Sequence, residues 1–405
     1  MAGKPILVVG GGISGITAAV EAAETGREVV LVEKRPFLGG NVARMFNYFP
    51  KLCPPSCGLE INFRRIRQNR RIQILTETTV MELSGTAGNF RANLRLNPKY
   101  INDRCTACGK CAEVCPVSRP DDLNPGLETK AAYLPADMAF PMKYTIDGAF
   151  CKKEACRKCL EVCDYQSIDL SAQPEDRTLE VSSVVIATGW KSYDVSGIEG
   201  LNFSQSPDIV TNLQFERLLA RSVSGKVMRP SDGKPVKRVV FVQCAGSRDE
   251  NHLPYCSAVC CSASLKHAIT LRELSPESHA TICYIDLRVS GRNEDFLRKA
   301  EINPGIDLVK GKVAVIEKDN DTLIAIAEDV LSGKKKRYPA DLIVLASGIV
   351  PEESLLPVVR DENGFALQEQ APGIFSVSCA RAPMDVSSSV KDATGVVLKT
   401  IQISG

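Results

Sequence analysis

The stretch KPILVVGGGISGITAAVEAAETGREVVLVEK, Lys4 to Lys34, decides the fold. Ile6 to Val9 is a short apolar run without alternation, which reads as a parallel strand buried on both faces. GGGISG follows, with Gly10, Gly12 and Gly15 in G-x-G-x-x-G spacing and Gly11 and Ser14 between them. The first glycine permits the tight turn, the second lets backbone approach a pyrophosphate, and the third lets helix and strand pack closely. A helix over Ile13–Glu24 then offers its N-terminal N–H groups and dipole to phosphate. Gly26 ends that helix, and a strand over Glu28–Val32 delivers Glu33 to the place where a ribose hydroxyl would bond a carboxylate. The glycines alone are a weak signal. The order strand, fingerprint, helix, strand and terminal acid predicts a dinucleotide-binding βαβ unit.

The surrounding composition narrows the class. At 405 residues the chain is long enough for two or three compact units, and its net charge of +2 argues against a dedicated nucleic-acid binder. Sixteen cysteines are the outlier. Disulfide scaffolds are usually small and secreted, whereas Met1 here runs directly into the first strand with no apolar leader or cleavage site. A cytoplasmic, reducing setting with cysteines holding metal is the expectation. Pro5 to Ala23 approaches membrane-spanning length, but a glycine turn interrupts it and Glu21 and Glu24 follow, so no direct membrane span is expected.

After Glu33, KRPFLGGN (Lys34–Asn41) resembles the segment that follows the ribose acid in two-dinucleotide-binding flavoproteins, where a Gly-Gly approaches the flavin. That resemblance favours FAD over NAD. VSSVVIATG (Val181–Gly189) and ADLIVLASG (Ala340–Gly348) resemble the strands that return the chain to the sheet in glutathione-reductase-like proteins. The cofactor wall implied in this way comprises Lys34, Gly40, Asn41, Val80 of the meander over Ile72–Leu96, Ala187 and Gly189. PGIFSVSCARAPMDV (Pro372–Val386) resembles the segment that closes over the flavin. The usual Gly-Asp there is replaced by Cys379-Ala380, which leaves Asp385 as the candidate contact.

Between the meander and Val184 the text changes character. CTACGKCAEVCP carries Cys105, Cys108, Cys111 and Cys115 in the C-x2-C-x2-C-x3-C-P run of bacterial ferredoxins, and Cys151, Cys156, Cys159 and Cys163 follow as C-x4-C-x2-C-x3-C. In two-cluster ferredoxins the fourth cysteine of each run serves the other cluster. Cys105, Cys108, Cys111 and Cys163 are therefore expected around one [4Fe–4S] cluster, and Cys151, Cys156, Cys159 and Cys115 around a second. The rival is a pair of structural zinc sites. The second run departs from the pattern in its x4 spacing and in Asp164 where proline would stand. Val117–Ala149 reads as a long loop without an assigned role.

Lys237–Val242 is another buried strand, placed where related reductases begin their NAD(P)H-binding unit, but no glycine fingerprint follows it. Cys244, Cys256, Cys260 and Cys261 stand there instead. They suggest a third iron–sulfur site at a helix N-terminus, with Lys266 or His267 favouring thiolates; four unlinked core thiols are the alternative. Strand His279–Leu287, helix Glu294–Ala300 and strand Ile306–Val309 complete the unit. KKKR (Lys334–Arg337) reads as a solvated hairpin end. FRRIRQNRR (Phe63–Arg71) is read either as a dock for an acidic protein or as a solvated helix face.

The combined order (FAD fingerprint, two-cluster insert, Cys-x11-Cys-x3-Cys-Cys) resembles the A subunit of heterodisulfide reductase over nearly the whole chain. The resemblance implies an α/β, glutathione/thioredoxin-reductase-like two-dinucleotide-binding flavoprotein fold with an inserted ferredoxin-like 2[4Fe–4S] domain. It implies a [4Fe–4S] cluster on Cys244, Cys256, Cys260 and Cys261, and a flavin-proximal cation at Lys266. Expected boundaries are 1–100 (FAD-binding domain), 101–172 (ferredoxin insert), 173–200 (return strand), 201–336 (second nucleotide-like unit) and 337–405 (FAD-binding domain, C-terminal part). The compact length, without the terminal extensions of the long forms, is similar to the A subunit of the quinone-interacting membrane-bound oxidoreductase of sulfate reducers. That similarity implies three partners: a second, larger flavin–iron–sulfur protein, a haem–quinone subunit in the membrane, and a soluble partner, adenylylsulfate reductase. It also implies a cytoplasmic position against the membrane. The expected function is an electron-transferring oxidoreductase within a multi-subunit complex. Alternatives are a free-standing NAD(P)H oxidoreductase and a thiol–disulfide reductase using Cys53 and Cys57 of CPPSC, whose Pro54-Pro55 reads as unlike the helical setting usual there.

Overall fold

The computed structural model describes residues 3–49, 52–124, 126–368 and 370–403. Its first sheet has five parallel strands in the order Ile374–Ser376, Ser183–Ile186, β1 (Ile6–Val9), β2 (Val29–Val32) and β3 (Ile72–Leu75). Alternation decides which residues go where. Ile6 and Val8 face α1 (Ile13–Glu24) and the C-terminal helix Val386–Ile403, together with Leu31. Leu7 and Val9 face the other way, onto Val80, Phe90 and Leu94. Those three belong to an antiparallel meander of β4 (Thr78–Thr86), β5 (Asn89–Leu96) and Glu175–Val181. With both faces covered, the strands need no polar side, and their near-continuous apolar text follows.

The second sheet repeats the plan with parallel strands ordered Ile209–Thr211, Leu342–Ser347, Arg238–Ala245, His279–Tyr284 and Ile306–Lys310. Helix Cys260–Leu274 covers one face and a meander over Val313–Ala340 the other. The strand Leu342–Ser347 is hydrogen-bonded inside this sheet, so the second unit runs past the expected residue 336. The chain crosses between the units on a two-stranded antiparallel link, Trp190–Ser192 with Ile349–Pro351.

The cysteine-rich insert leaves the meander after β5 and closes on itself: Asn102 N–H donates to Ser167 O (2.9 Å) and Asp169 N–H to Tyr100 O (2.9 Å). The segment expected as a featureless loop is built. Ser118–Pro120 pairs with Glu128–Lys130, and Ala132–Tyr133 with Thr145–Ile146. Phe140 leaves it to stack on Phe63 of α2 (Pro55–Gln68), with ring centroids 4.8 Å apart, and joins the core of the first unit. The prolines and aspartates that read as loop text here delimit short strands.

One further reading is corrected in α2. The helix begins directly at Pro55, because proline at the first helical position gives up no hydrogen bond. The arginines of the FRRIRQNRR stretch lie largely at the surface, with Arg64, Arg67, Arg70 and Arg71 exposed. Arg65 bridges Glu21 and Glu24 of α1, Arg71 reaches Glu28, and Arg67 lies over the Phe140 ring. The FRRIRQNRR stretch is thus a solvated face that carries surface ion pairs, as the second of its two readings expects. Lys334–Arg337 is strand, exposed as expected, with Lys336 paired to Asp329 and Arg337 to Glu317.

Candidate functional site

A cavity lies between the two units, lined by residues of both. Gly10, Gly12, Ser14, Glu33, Lys34, Gly40, Asn41, Ala187, Gly189, Lys266 and Asp385 all line it. Gly11, Gly15 and Val80 do not. Gly11 spends its N–H on Glu33, Gly15 is packed against the Gly10 carbonyl, and Val80 is buried in the core behind the sheet.

At the fingerprint end the geometry is set by backbone. Gly10 has φ +110°, and a Cβ there would stand 2.3 Å from Ala187 O. A Cβ on Gly15 would stand 1.8 Å from Gly10 O. No side chain caps α1 at Gly12, and its first turn carries no acid. That leaves a helix N-terminus suited to an anion. Glu33 accepts from Gly11 N–H (2.6 Å) and Arg35 N–H (2.8 Å). Burial pushes the Glu33 carboxyl upward against these two N–H groups and the neighbouring cations Arg35 and Lys34. An acid held by two backbone donors at the rim of a cavity is fixed in direction and can accept further bonds from a ribose.

The far end is closed by the second unit. Lys266 Nζ donates to Asn47 O (2.6 Å) and contacts Glu216 Oε1, which also lies 2.6 Å from His267 Nε2. Glu216 Oε2 accepts from Phe46 N–H (2.9 Å). Burial raises the Glu216 carboxyl, yet the Lys266 ammonium and His267 outweigh it and hold the group well below the usual carboxylate range. Burial lowers His267, with Glu216 opposing, so a neutral ring donating from Nε2 satisfies the pair. Among the described residues His267 Nδ1, which is buried, has no hydrogen-bond partner. Sequence reasoning named Lys266 and missed Glu216, because the two lie fifty positions apart on different helices.

Asp385 lines the cavity, and its carboxylate also accepts from Ser388 N–H (2.7 Å), at the start of the C-terminal helix. Cys379, in the place of the usual glycine, is buried beside Met384 O (3.3 Å). A cavity with an anion-binding helix start, a ribose acid and a buried, held cation fits the charge pattern of FAD.

The insert holds two smaller cavities, and the cysteines sort between them by the crossed pattern. One is lined by Cys105, Cys108, Cys111 and Cys163, the other by Cys115, Cys151, Cys156 and Cys159. The halves are near-repeats: GKCAEVC and RKCLEVC, with the short helices Lys110–Glu113 and Lys158–Glu161. Gly109 and Arg157, both left-handed, open these helices. Ala107 N–H donates to Cys105 Sγ (3.4 Å) and Lys153 N–H to Cys151 Sγ (3.3 Å). Burial pushes the Cys111 thiol up to about 12 and the Cys159 thiol up to about 11, with neighbouring thiols adding to both. Without a metal these thiols stay neutral, and a bound metal would have to supply the positive charge that makes them thiolates. Among the described residues no three Cys, His, Asp or Glu side chains converge closely enough for one metal ion. The crossed sorting of the two runs is the arrangement by which two-cluster ferredoxins share their fourth cysteines.

The third set also assembles. The ladder of Arg238–Ala245 breaks between Val242 and Ala245, where Cys244 has φ +56°. Cys260 and Cys261 open a helix that no side chain caps. Burial raises Cys244, Cys260 and Cys261; Cys256 lies close enough to raise all three further. The cations beside these thiols are Arg248 and Arg288, whose backbone N–H donates to Cys261 Sγ (3.4 Å). Lys266 and His267, expected in that role, turn to Glu216 instead, because their helix positions point them at the flavin cavity. Cys53 and Cys57 flank the start of α2, and Cys53 forms a backbone bridge to Tyr48, which lines the main cavity.

Comparison with known proteins follows this division. The model for FAD-dependent oxidoreductases matches residues 5–61, and the 4Fe–4S binding domain model matches residues 98–118. The A subunit of the H(2):CoB-CoM heterodisulfide,ferredoxin reductase of Methanothermobacter marburgensis is 34% identical, covering 97% of this chain and 63% of the relative. The A subunit of the ferredoxin:CoB-CoM heterodisulfide reductase of Methanosarcina acetivorans is 36% identical, covering 96% and 55%. The chain thus spans less than two thirds of the length of these relatives. Among solved structures, thioredoxin reductase of T. acidophilum aligns over 100% of this chain and 99% of its own, with TM-score 0.57 and 15% identity. That likeness shows the fold.

Proposed function

As a member of the family formed by the A subunits of heterodisulfide reductases, the chain is an oxidoreductase with an FAD-binding domain and a 4Fe–4S domain, and from that premise we propose that it is an electron relay within a larger complex. The observation that carries the reading is the crossed sorting of the eight insert cysteines into two cavities. The same fold provides a cavity lined by the glycine fingerprint and Glu33.

In this reading α1 and Gly10–Ser14 hold the pyrophosphate, Glu33 the ribose, and Lys266 offers a cation at the flavin end. Glu216 holds Lys266 in place, and His267 keeps Glu216 from turning away. Bound FAD supplies the exchange between two-electron and one-electron chemistry. Cys105, Cys108, Cys111 and Cys163 would ligate one [4Fe–4S] cluster, Cys115, Cys151, Cys156 and Cys159 a second, and Cys244, Cys256, Cys260 and Cys261 a third. The third set occupies the loop where a pyridine-nucleotide site would need its glycines. This disfavours a free-standing NAD(P)H reductase, a reading that rapid flavin bleaching by NADH would restore.

The finer assignment is a link between a membrane haem–quinone protein, a second flavin–iron–sulfur protein and adenylylsulfate reductase. It rests on the resemblance of the motif order to the quinone-interacting oxidoreductase. Among the described residues no helix is long and apolar enough to cross a membrane, so membrane association is assigned to partner subunits. Anaerobic purification of the native complex tests both levels. The reading expects one FAD and about twelve irons in this chain, with the named partners co-purifying. Zinc without acid-labile sulfide overturns the relay, and a complex lacking a quinone-reactive component overturns the finer assignment.

A further inference from the structure

The two cysteine cavities of the insert differ in their rims. Around the Cys115, Cys151, Cys156 and Cys159 cavity stand Lys152, Lys153, Arg157 and Lys158, all exposed. Among the residues lining the Cys105, Cys108, Cys111 and Cys163 cavity the only cation is Lys110, tied to Asp164 at 2.5 Å. The insert as a whole is slightly acidic, with nine Lys and Arg against eleven Asp and Glu over residues 101–172. Its cations are concentrated in one place: residues 152–158 carry four against the single Glu154. Glu154 lies 3.5 Å from Arg157, and Glu161 is the other exposed acid close by. Lys153 lies over the Tyr100 ring at 5.3 Å. Among the described residues Lys152 and Lys158 have no ion-pair partner. Cations that served only to balance thiolate charge would be needed equally at both cavities, and they stand at one.

We propose that the cationic rim formed by Lys152, Lys153, Arg157 and Lys158 is a docking surface for the acidic face of a protein electron carrier, which exchanges one electron with the insert there. The inference rests on reading the adjoining four cysteines as a cluster site. It goes further by giving the relay a direction in space, with its protein-facing port at the Cys151–Cys159 end and not at the exposed Cys108 end. The step is a bare electron transfer: the reduced carrier is oxidised by one electron and the cluster reduced by one, with no bond made or broken. Oppositely charged faces would raise the encounter rate, and salt would suppress it.

The test mixes the anaerobically purified full chain with a reduced, acidic two-cluster ferredoxin in a stopped-flow instrument and follows bleaching of the carrier. The second-order rate should fall by roughly tenfold or more between about 0.02 M and 0.5 M salt. A Lys152→Glu/Lys158→Glu variant should be slower by about tenfold at low salt and lose most of the salt dependence. Lys334→Glu/Lys335→Glu, on the exposed hairpin of the second unit, should match the parent. Iron and sulfide are assayed on every sample. A parent without iron overturns the cluster reading itself. Full iron with an unchanged rate in the rim variant, or a comparable loss in Lys110→Glu, overturns the port.

Discussion

His267 Nε2 lies 2.6 Å from Glu216 Oε1, on the same oxygen that Lys266 contacts, with all three side chains almost wholly buried. Removing one member of such a group leaves a buried charge uncompensated, which typically costs about 3–5 kcal/mol. Glu216→Leu should therefore lower stability by an amount of that order and shift the flavin midpoint potential. Glu216→Gln, which keeps the shape and the Phe46 N–H bond, should lose less stability while moving the potential in the same direction. Denaturant melts and a spectroelectrochemical titration measure both. An unchanged potential in two folded variants would remove Lys266 from the flavin's surroundings.

The same residues set an acid limit. His267 is held below its ordinary value, so the unfolded chain binds a proton near about pH 6.5 that the folded chain refuses, and stability falls as pH drops through that range. Glu216 is held below its ordinary value by the Lys266 ammonium and the hydrogen bond to His267, so a further loss begins below about pH 4.3. Both signs run the same way. Melting temperature should decline from about pH 7 to 5 and more steeply below. His267→Phe, set among Phe215 and Phe241, should flatten the upper part only. An identical slope over that upper range in the variant would refute the assignment.

Much of this was legible in the chain because it is local. The fingerprint, the ribose acid and the cysteine runs are short-range patterns whose spacing carries the chemistry. Glu216, Arg248 and Arg288 were not legible, since nothing in LQFERLL, GSRDE or DLRVS marks a residue that tertiary contact brings to a cofactor. Val117–Ala149 failed for a different reason. Short edge pairs and a single anchoring Phe140 leave no periodicity to read. Pro54-Pro55 misled because proline opens helices as readily as it breaks them.

Gly15 gives the sharpest test of the nucleotide end. An added Cβ meets the Gly10 carbonyl at 1.8 Å, and backbone cannot yield there without moving the pyrophosphate turn. Gly15→Ala should be purified with little or no flavin and a lower melting temperature. Gly197→Ala, where a Cβ meets nothing within 4 Å, should keep both. The flavin-to-protein absorbance ratio reads the result, and a stoichiometric ratio in Gly15→Ala would exclude FAD from this turn.

Cys115 sits in the sequence run of Cys105, Cys108 and Cys111 but in the cavity of Cys151, Cys156 and Cys159. Cys115→Ser should therefore perturb the cluster of the second run, and Cys163→Ser, by the same crossing, that of the first. The double variants separate the two patterns. Cys115→Ser with Cys156→Ser strikes one cluster twice and should lose about four irons. Cys115→Ser with Cys108→Ser strikes both and should lose about eight. Uncrossed ligation reverses these totals. Iron and sulfide analysis supplies the counts, and the electron paramagnetic resonance of the reduced protein shows whether the coupling between two neighbouring clusters survives.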